Sequence, residues 1–387
     1  MGFREDTRAW LEDNCPDSIR SPGPSTDGGK RAVYSNPDTK VWLDLMAEKG
    51  WTAPHWPKAY DGAGLEKAEV QILNEEIRRI NARVPLGGHG LTMIGPALLE
   101  FGNDDQCKEH LPKIARGEIK WCQGYSEPRA GSDLASLQMR ALEDGDDYVI
   151  NGSKLWTSGA DKADWIFALV RTDMKASKHE GISFIIFDML TPGISVQPID
   201  LISGASEFSA TFFDDVRVPR KHLISRPGNG WTVGKRLLQY ERTSIGGIGG
   251  SNQKVITLDE RAKDYLGETD GKIKDPSIRD QVATLTMNDR AFQLTTQRSS
   301  EEASSNKAPT FMSSFFKVYG TELNKAKTEL SVSIEGTQGL GWSGDSFSRT
   351  ELGTTRGWLR AKANSIEGGT SEVMLNIIAK RILELPD

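Results

Sequence analysis

The sequence predicts an α+β protein in which a helical region is followed by a β domain and then by a second helical region. Apolar residues recur at helical spacing in the first region, as in Val70, Leu73 and Ile77. Short segments rich in aromatic and β-branched residues follow, and the helical period returns after Trp231. These observations predict three domains, over residues 1–118, 119–226 and 227–387.

The first helical region contains one interruption. Pro54, Pro57 and Gly62 break the helical period, and these residue types are typical of a loop between helices. At the start of the chain, MGFREDTRAWLEDN lacks both the basic start and the apolar stretch of a signal peptide. This segment therefore predicts an amphipathic helix, and we expect the protein to stay in the cytoplasm.

The β domain consists of apolar segments separated by turn residues. The predicted strands lie around 148–150, 165–170, 182–187 and 210–213. Breaks between strands are expected at Asp144-Gly145-Asp146, Asn151-Gly152 and Thr191-Pro192-Gly193. Their spacing of roughly 10 to 20 residues favours an antiparallel sheet or barrel over βαβ units.

Composition excludes several classes of partner. The 387 residues include 48 Lys and Arg against 54 Asp and Glu, which gives a net charge of -6. This balance argues against general attraction to nucleic acid or to an anionic membrane surface. The longest apolar runs are far shorter than the roughly 20 residues that span a bilayer, so we expect no membrane span.

Cysteine and histidine spacing predicts neither a disulfide framework nor a metal site. Cys15, Cys107 and Cys122 show no CxxC spacing and suit reduced, structural thiols. The 5 histidines are scattered, without HExxH or another ligand pair. The sequence also lacks a P-loop and a complete GxGxxG fingerprint, which argues against P-loop and Rossmann nucleotide sites.

Two neighbouring segments contain the most specific motif in the sequence. WCQGYSEPRAGSD, over 121–133, is followed by NGSKLWTS, over 151–158. Together they resemble the signature of the acyl-CoA dehydrogenase family, a TEPxAGSD-like core followed by NGxKxWxT or its Ser variant. The similarity extends to 53–65 and 365–385, and so covers nearly the whole chain. Within the family, the chain looks most like bacterial members such as the large subunit of pimeloyl-CoA dehydrogenase and relatives acting on bulky acyl chains.

The resemblance implies a fold, a cofactor and a set of contacts. It implies an N-terminal α-helical domain, a central β-barrel and a C-terminal four-helix bundle, with FAD as the cofactor. By the same resemblance, the residues that line FAD are Gln123, Ser126, Trp156, Ser158, Thr370 and Glu372. Ser132 falls where the family contacts the substrate or its pantetheine arm. Taken singly, an Asn-Gly turn or a lone Trp in a β domain is ordinary, so these assignments depend on the whole motif.

The family reaction requires a base. In α,β-dehydrogenation of an acyl-CoA thioester, a carboxylate removes the α-proton while hydride leaves the β-carbon for flavin N5. Many members carry this glutamate in a YEGTS motif, but the matching position here is Gly368. Other members place it on a helix after the β domain, where Glu241 stands, although helical glutamates are mostly solvated surface residues. Glu367 is the competing candidate, and Arg242 either contacts substrate or pairs with a neighbour.

The segments expected near the FAD pyrophosphate depart from the family pattern. An Arg-x-x-Phe-Gly segment is replaced by GKIKDPSIR over 271–279, and Glu335 stands where members often have glutamine. An acidic group beside a pyrophosphate is unfavourable. We therefore expect either an altered FAD pose or a partner subunit that supplies this half of the site.

Three functions remain open at this stage. The first is an acyl-CoA dehydrogenase that passes electrons to an electron-transfer flavoprotein, as a homodimer, a homotetramer or a heterotetramer with a homologous subunit. The second is a flavin oxidase or monooxygenase of the same fold, and the third is an FAD-binding partner subunit of a heteromeric dehydrogenase. The acyl chain is undetermined, although the lost YEGTS glutamate favours branched, cyclic, steroid-like or dicarboxylic groups by analogy.

Overall fold

The computed structural model describes residues 2–21, 23–245, 256–304 and 312–386, without the side chains of 240–245, 300, 303 and 304. Its residues form two compact units, which are described separately. The first contains Met1–Ile199 and Ser206–Leu237. The second contains Asp200–Ala205 and the described residues from Leu238 onward.

Five helices begin the first unit. They are α1 (Phe3–Asn14), α2 (Asp38–Glu48), α3 (Lys67–Arg79), α4 (Gly95–Phe101) and α5 (Asp104–Ala115). The apolar faces of α1, α2 and α3 meet in a buried core, because their apolar residues recur at helical spacing. This core includes Leu11, Trp42, Met46, Leu73 and Ile77.

A buried carboxylate joins α1 to α3. Glu76 lies 2.9 Å from Arg8 Nη2, 3.1 Å from Arg4 Nη1 and 2.6 Å from Arg79 Nε. Hydrogen bonds from Arg8 in particular, and from Arg79 and Arg4, lower the pKa of Glu76 to about 2. The charged carboxylate is therefore compensated although its side chain is almost fully buried.

Eight strands within the described residues form one mixed sheet. They are β1 (Trp121–Gly124), β2 (Arg140–Asp144), β3 (Asp147–Ser158), β4 (Trp165–Arg171), β5 (Ile182–Asp188), β6 (Ile194–Ile199), β7 (Phe208–Pro219) and β8 (Leu223–Ile224). The strand order is β6-β7-β3-β2-β4-β5-β8, and β1 pairs with β4. Inward-facing residues of β3, β4, β5 and β7 build its core, including Ile150, Ile166, Ile185, Phe187 and Val216.

The sheet departs from the antiparallel expectation at β4. Both β1 and β2 run parallel to it, while the other pairs are antiparallel. Lys120, just before β1, accepts a hydrogen bond of 3.0 Å from the N–H of Trp165 at the start of β4. The two strands therefore begin side by side and run in the same direction.

Asn151-Gly152 is not the break between strands that the sequence predicted. Both residues lie inside β3, at a shift in its register with β7. The Asn151 side chain accepts a hydrogen bond from the Asp215 N–H over 3.0 Å and donates one to the Asp215 carboxylate over 2.9 Å. Asn151 alone faces Asp214 and Asp215, so the extra residue of this β-bulge is on β7, and the dipeptide continues β3 without ending it.

The second unit is helical. After α6 (Gly230–Ile245), which links the two units, come α7 (Leu258–Leu266), the short strands β9 (Glu268–Thr269) and β10 (Lys272–Ile273), α8 (Pro276–Ser304), α9 (Met312–Glu335), α10 (Arg349–Ala361) and α11 (Ser371–Arg381). Helix α9 packs against α7, α8, α10 and α11. Ala262, Val282, Leu330 and Ile334 form part of the core between α7, α8 and α9.

The predicted order of helices, β domain and helices is confirmed. The boundaries at 118/119 and 226/227 stay predictions. Across the described ranges, the structure contains no helix that combines the length and the apolar character needed to span a bilayer.

Candidate active site

Adjoining segments of the first unit bring together four of the residues predicted to line FAD. Gln123 lies on β1, opposite Phe167 of β4, and Ser158 ends β3. Ser126 follows β1, and its carbonyl accepts a 2.8 Å hydrogen bond from the N–H of Leu155, next to Trp156. Gln123, Ser126 and Ser158 are half-buried, so short polar groups surround an accessible position.

Trp156 is turned outward by a second β-bulge. Between the pairs Lys154–Thr211 and Thr157–Ser209, two residues of β3 face one residue of β7. Trp156 has φ of 62°, a left-handed conformation that costs about 1 kcal/mol or more for a residue other than glycine. Its indole is 52% exposed and contacts Phe208, with ring centroids 6.1 Å apart.

These groups fit a planar aromatic ring with polar edges. The half-exposed indole of Trp156 offers an apolar face, and the hydroxyls of Ser126 and Ser158 offer hydrogen bonds. The neighbouring Thr157 Oγ1 is buried and has no hydrogen-bond partner within the described part of the chain. A backbone strain that exposes an aromatic ring is typical of a functional site.

A buried ion pair lies beside these residues, and the motif reading had not singled it out. Lys154 Nζ is 2.8 Å from Glu127 Oε1 and 3.1 Å from the Tyr125 carbonyl. Glu127 also accepts hydrogen bonds from the N–H groups of Met139 (3.0 Å) and Gln138 (2.6 Å). Burial lowers the pKa of the Lys154 ammonium.

A signal in the sequence could have revealed this pair. Side chains alternate between the two faces of a strand, and Tyr148, Ile150 and Lys154 lie on the buried face of β3. A lysine at such a position requires a buried anionic partner. The sequence around Lys154 does not identify this partner, because Glu127 lies 27 residues away along the chain.

Ser132, the predicted substrate contact, lies in an exposed turn between β1 and β2. Glu127 and Ala130 begin this turn with two reciprocal backbone hydrogen bonds of 3.0 Å. The adjacent Asp133 forms an ion pair with Lys178 over 2.6 Å. The position is accessible, and the role of Ser132 stays a prediction.

Thr370 and Glu372 belong to the second unit. Gly368 and Gly369 have φ of 63° and 96°, so they turn the chain just before α11. Thr370 caps that helix by accepting a hydrogen bond from the Val373 N–H over 3.3 Å. Hydrogen bonds from its own N–H and from the Thr370 hydroxyl lower the pKa of Glu372.

The two candidate bases differ in what the structure records. Glu241 and Arg242 lie on α6, but their side chains fall outside the described residues. Glu367 Oε2 lies 2.9 Å from Arg360 Nη2, and Asn364 Nδ2 donates to Oε1 over 2.5 Å. Both oxygens of the Glu367 carboxylate are therefore engaged by donors of the second unit.

The segments expected near a pyrophosphate are occupied by contacts within the second unit. Glu335 is buried at the end of α9, where it forms an ion pair with Arg261 and accepts a 2.9 Å hydrogen bond from Thr354. Burial lowers the pKa of Arg261. Residues 271–279 form β10 and the start of α8, where Asp275 accepts hydrogen bonds from the first helical N–H groups.

A cavity of about 1010 Å³ lies elsewhere in the first unit. Residues from 29–65 and 116–118 line it, and none of the predicted site residues does. Several of its charged residues pair with one another, as in Lys40–Asp44 at 2.6 Å and Arg116–Glu118 at 2.6 Å. It is therefore a separate feature from the groups around Trp156.

Comparison with family models gives three matches along the chain. The N-terminal domain of acyl-CoA dehydrogenase matches residues 3–118, the middle domain 122–216 and the C-terminal domain 228–383. Gln123, Ser126, Trp156 and Ser158 fall within the middle-domain match.

Similar proteins cover almost the whole chain. Acyl-CoA dehydrogenase IpdE1 of Mycobacterium tuberculosis is 32% identical over 386 residues, which are 99% of this chain and 97% of that protein. A solved structure described as the Tcur3481-Tcur3483 steroid ACAD has a TM-score of 0.79 at 29% identity, over 99% of this chain and 96% of the other. The ChsE4-ChsE5 complex from Mycobacterium tuberculosis has a TM-score of 0.75 at 28% identity, over 100% and 97%.

Proposed function

The chain belongs to the acyl-CoA dehydrogenase family, flavoprotein oxidoreductases that act on CH–CH groups, and from this premise we propose that Glu241 is its catalytic base. The proposed reaction is FAD-dependent α,β-dehydrogenation of an acyl-CoA thioester. The observation that supports a functional flavin site most directly is Trp156, a half-exposed indole in a strained bulge beside Ser126.

We propose that FAD binds at the residues around this bulge. When bound, FAD accepts the hydride that leaves the β-carbon of the thioester. Trp156 would pack beside the ring, and Gln123, Ser126 and Ser158 would meet its polar edge. Thr370 and Glu372 are proposed as further FAD contacts from the C-terminal part of the chain.

Glu241 would take the α-proton onto its carboxylate. Removal of such a weakly acidic proton needs a carboxylate in a dry pocket, where desolvation raises its basicity. Glu367 is the weaker candidate because Arg360 and Asn364 already engage its oxygens. Ser132 and Arg242 are proposed to contact the substrate.

We propose a bulky, ring-bearing acyl group as the substrate. Gly368 stands at the position where many members carry the base, so a base on α6 implies a differently shaped pocket. The similar structure described as a steroid ACAD supports a steroid-like acyl group over a short straight chain. A branched, cyclic or dicarboxylic acyl group is the alternative within this proposal.

The proposed electron acceptor is an electron-transfer flavoprotein, and the proposed assembly is a homodimer, a homotetramer or a heterotetramer. The similar ChsE4-ChsE5 complex contains two different chains, which supports a heterotetramer with a homologous subunit. A second candidate function, that of an FAD-binding partner subunit, is favoured by one observation. Glu335 stands where many members have glutamine. It is a carboxylate buried against Arg261, and it does not offer a hydrogen-bond donor to a pyrophosphate.

Anaerobic absorbance spectroscopy tests this proposal. The purified chain is titrated with a panel of straight, branched and steroid-like acyl-CoA thioesters while its visible flavin absorbance is followed. We expect a yellow protein that a ring-bearing thioester bleaches. A chain that takes up FAD only when co-expressed with a homologous subunit, in a complex that a thioester still bleaches after Glu241→Gln, would replace the proposal with the partner-subunit function.

The same reaction in air distinguishes a dehydrogenase from an oxidase or monooxygenase of the same fold. Reduced dehydrogenase is expected to reoxidise slowly in air and rapidly with an electron-transfer flavoprotein. Rapid oxygen consumption during turnover, without need of that acceptor, would assign the chain as an oxidase or monooxygenase instead.

A further inference from the structure

The Glu127–Lys154 ion pair encloses the backbone of Ser126. Lys154 Nζ bonds to the carbonyl of Tyr125 on one side of Ser126 and to the carboxylate of Glu127 on the other. The Ser126 carbonyl itself accepts from the N–H of Leu155, the residue after Lys154. Three consecutive residues after β1 are thus tied to two consecutive residues of β3.

The same pair reaches the next strand. Glu127 Oε2 accepts from the Gln138 N–H and Oε1 from the Met139 N–H, just before β2. One carboxylate therefore connects the loop after β1, the entry to β2 and the interior of β3. Its three contacts, with Lys154 Nζ and the two N–H groups, satisfy a charge that lies among buried groups.

Burial makes this arrangement costly. The Lys154 side chain is 0% exposed and that of Glu127 is 8% exposed. Desolvation of both charges offsets much of their attraction, and apolar residues of similar volume often stabilise a fold equally well. Stability alone is therefore a weak explanation for the pair, whereas holding one defined geometry is a recognised use of buried ionic groups.

We propose that Glu127 and Lys154 are positioning residues that hold the Ser126 loop and the Trp156 bulge in register for the flavin ring. The inference rests on the proposed flavin site. Lys154 acts through its neighbours: it fixes Ser126 through Tyr125 and Glu127, and it immediately precedes the Leu155-Trp156 bulge. Loss of the pair changes how the flavin is held even where the sheet still folds.

The test compares FAD binding and flavin spectra of three variants: Glu127→Gln, Lys154→Met and the double variant Glu127→Gln/Lys154→Met. We expect each to raise the dissociation constant for FAD by at least about tenfold and to shift the visible flavin bands. If Lys154→Met does not fold, the double variant takes its place, because it leaves no unpaired buried charge.

Glu76→Gln is the matched control. Glu76 is another buried carboxylate of the first unit, held by three arginines between α1 and α3 and remote in sequence from the motif. Its loss is expected to lower the thermal midpoint while the FAD dissociation constant and the flavin bands stay unchanged. Lys154→Arg, which keeps the cation, is expected to recover part of the FAD affinity lost in Lys154→Met.

The outcomes are distinct. If the three variants lose stability as Glu76→Gln does and bind FAD with wild-type affinity and spectrum, the pair is structural only and the inference is wrong. If the wild-type chain binds no FAD, alone or with a homologous subunit, the proposed flavin site fails and the inference with it. Weaker FAD binding and shifted flavin bands in the Glu127 and Lys154 variants, but not in Glu76→Gln, would establish that the pair positions the flavin site.

Discussion

Arg360 and Glu367 form an ion pair in the second unit, with Nη2 2.9 Å from Oε2. Asn364 donates to the other oxygen of the same carboxylate. Glu367 is thus held by two donors next to the glycine turn at Gly368 and Gly369. Because both oxygens of Glu367 are already engaged within the second unit, we propose Glu241 as the residue that removes the α-proton.

Replacement of the two glutamates is expected to give unequal losses. Glu241→Gln should lower the rate of flavin reduction by about 10³-fold, the scale of general-base contributions, while Glu367→Gln should lower it by less than about tenfold. Anaerobic stopped-flow with saturating FAD and thioester measures both. Near-full turnover in Glu241→Gln together with an inactive Glu367→Gln would assign the base to Glu367.

Trp156→Asn separates flavin binding from stability. Asparagine tolerates the left-handed backbone better than tryptophan does, so the replacement relieves about 1 kcal/mol of strain. This gain offsets part of the packing on Phe208 that the variant loses. The free energy of unfolding of the apoprotein should change by about 1 kcal/mol or less. The FAD dissociation constant should rise at least about tenfold, measured by fluorescence titration.

Leu142→Asn is the control for this replacement. Leu142 is a 46% exposed apolar residue on β2 that takes no part in the proposed site. It should leave FAD affinity unchanged. If Trp156→Asn binds FAD as tightly as Leu142→Asn and the wild-type chain do, Trp156 is not part of the flavin site.

Arg261→Leu should destabilise the second unit strongly. It leaves the buried Glu335 carboxylate without its cation, a change that costs about 3 to 5 kcal/mol in proteins. Arg261→Leu/Glu335→Leu removes both charges and should recover most of that loss. Urea denaturation followed by circular dichroism compares the three chains, and a double variant no more stable than Arg261→Leu would contradict this account.

His110 predicts a pH-dependent stability. Its ring lies against Trp121 and Trp165, with centroids 5.5 and 4.6 Å away, and neither ring nitrogen bonds to a described residue. Burial lowers the pKa of His110 to about 4. This folded-state pKa lies below the unfolded value, so the unfolded chain takes up a proton first as the pH falls. The contribution of neutral His110 to stability is therefore fully present above about pH 6.5 and is lost as the pH drops toward 4.

His110→Phe should flatten this dependence. The phenyl ring keeps the aromatic contacts but takes up no proton, so the variant should avoid a loss of up to about 3 kcal/mol between about pH 6.5 and pH 4. Thermal midpoints of both chains across that range measure the difference. Parallel curves for wild type and variant would show that another group is responsible.

The sequence by itself determined the order of elements and the identity of the motif. Helical and strand periods are local properties of the chain, so the helices, the β domain and the returning helices could be recognised from apolar spacing. Resemblance in two segments selected Ser126, Trp156 and Ser158, which the structure brings to adjoining parts of one sheet. The Asn151-Gly152 dipeptide was misread, because the same residues also fit within a strand that faces a β-bulge.

Tertiary structure alone decided the partners of the buried charges and the direction of β1. Lys154 meets Glu127 across 27 residues, and Arg261 meets Glu335 across 74. The parallel pairing of β1 with β4 likewise depends on where the chain returns after β2 and β3. Such contacts are not encoded in any local period: a charge is buried or paired only after distant segments have packed and removed the water around it.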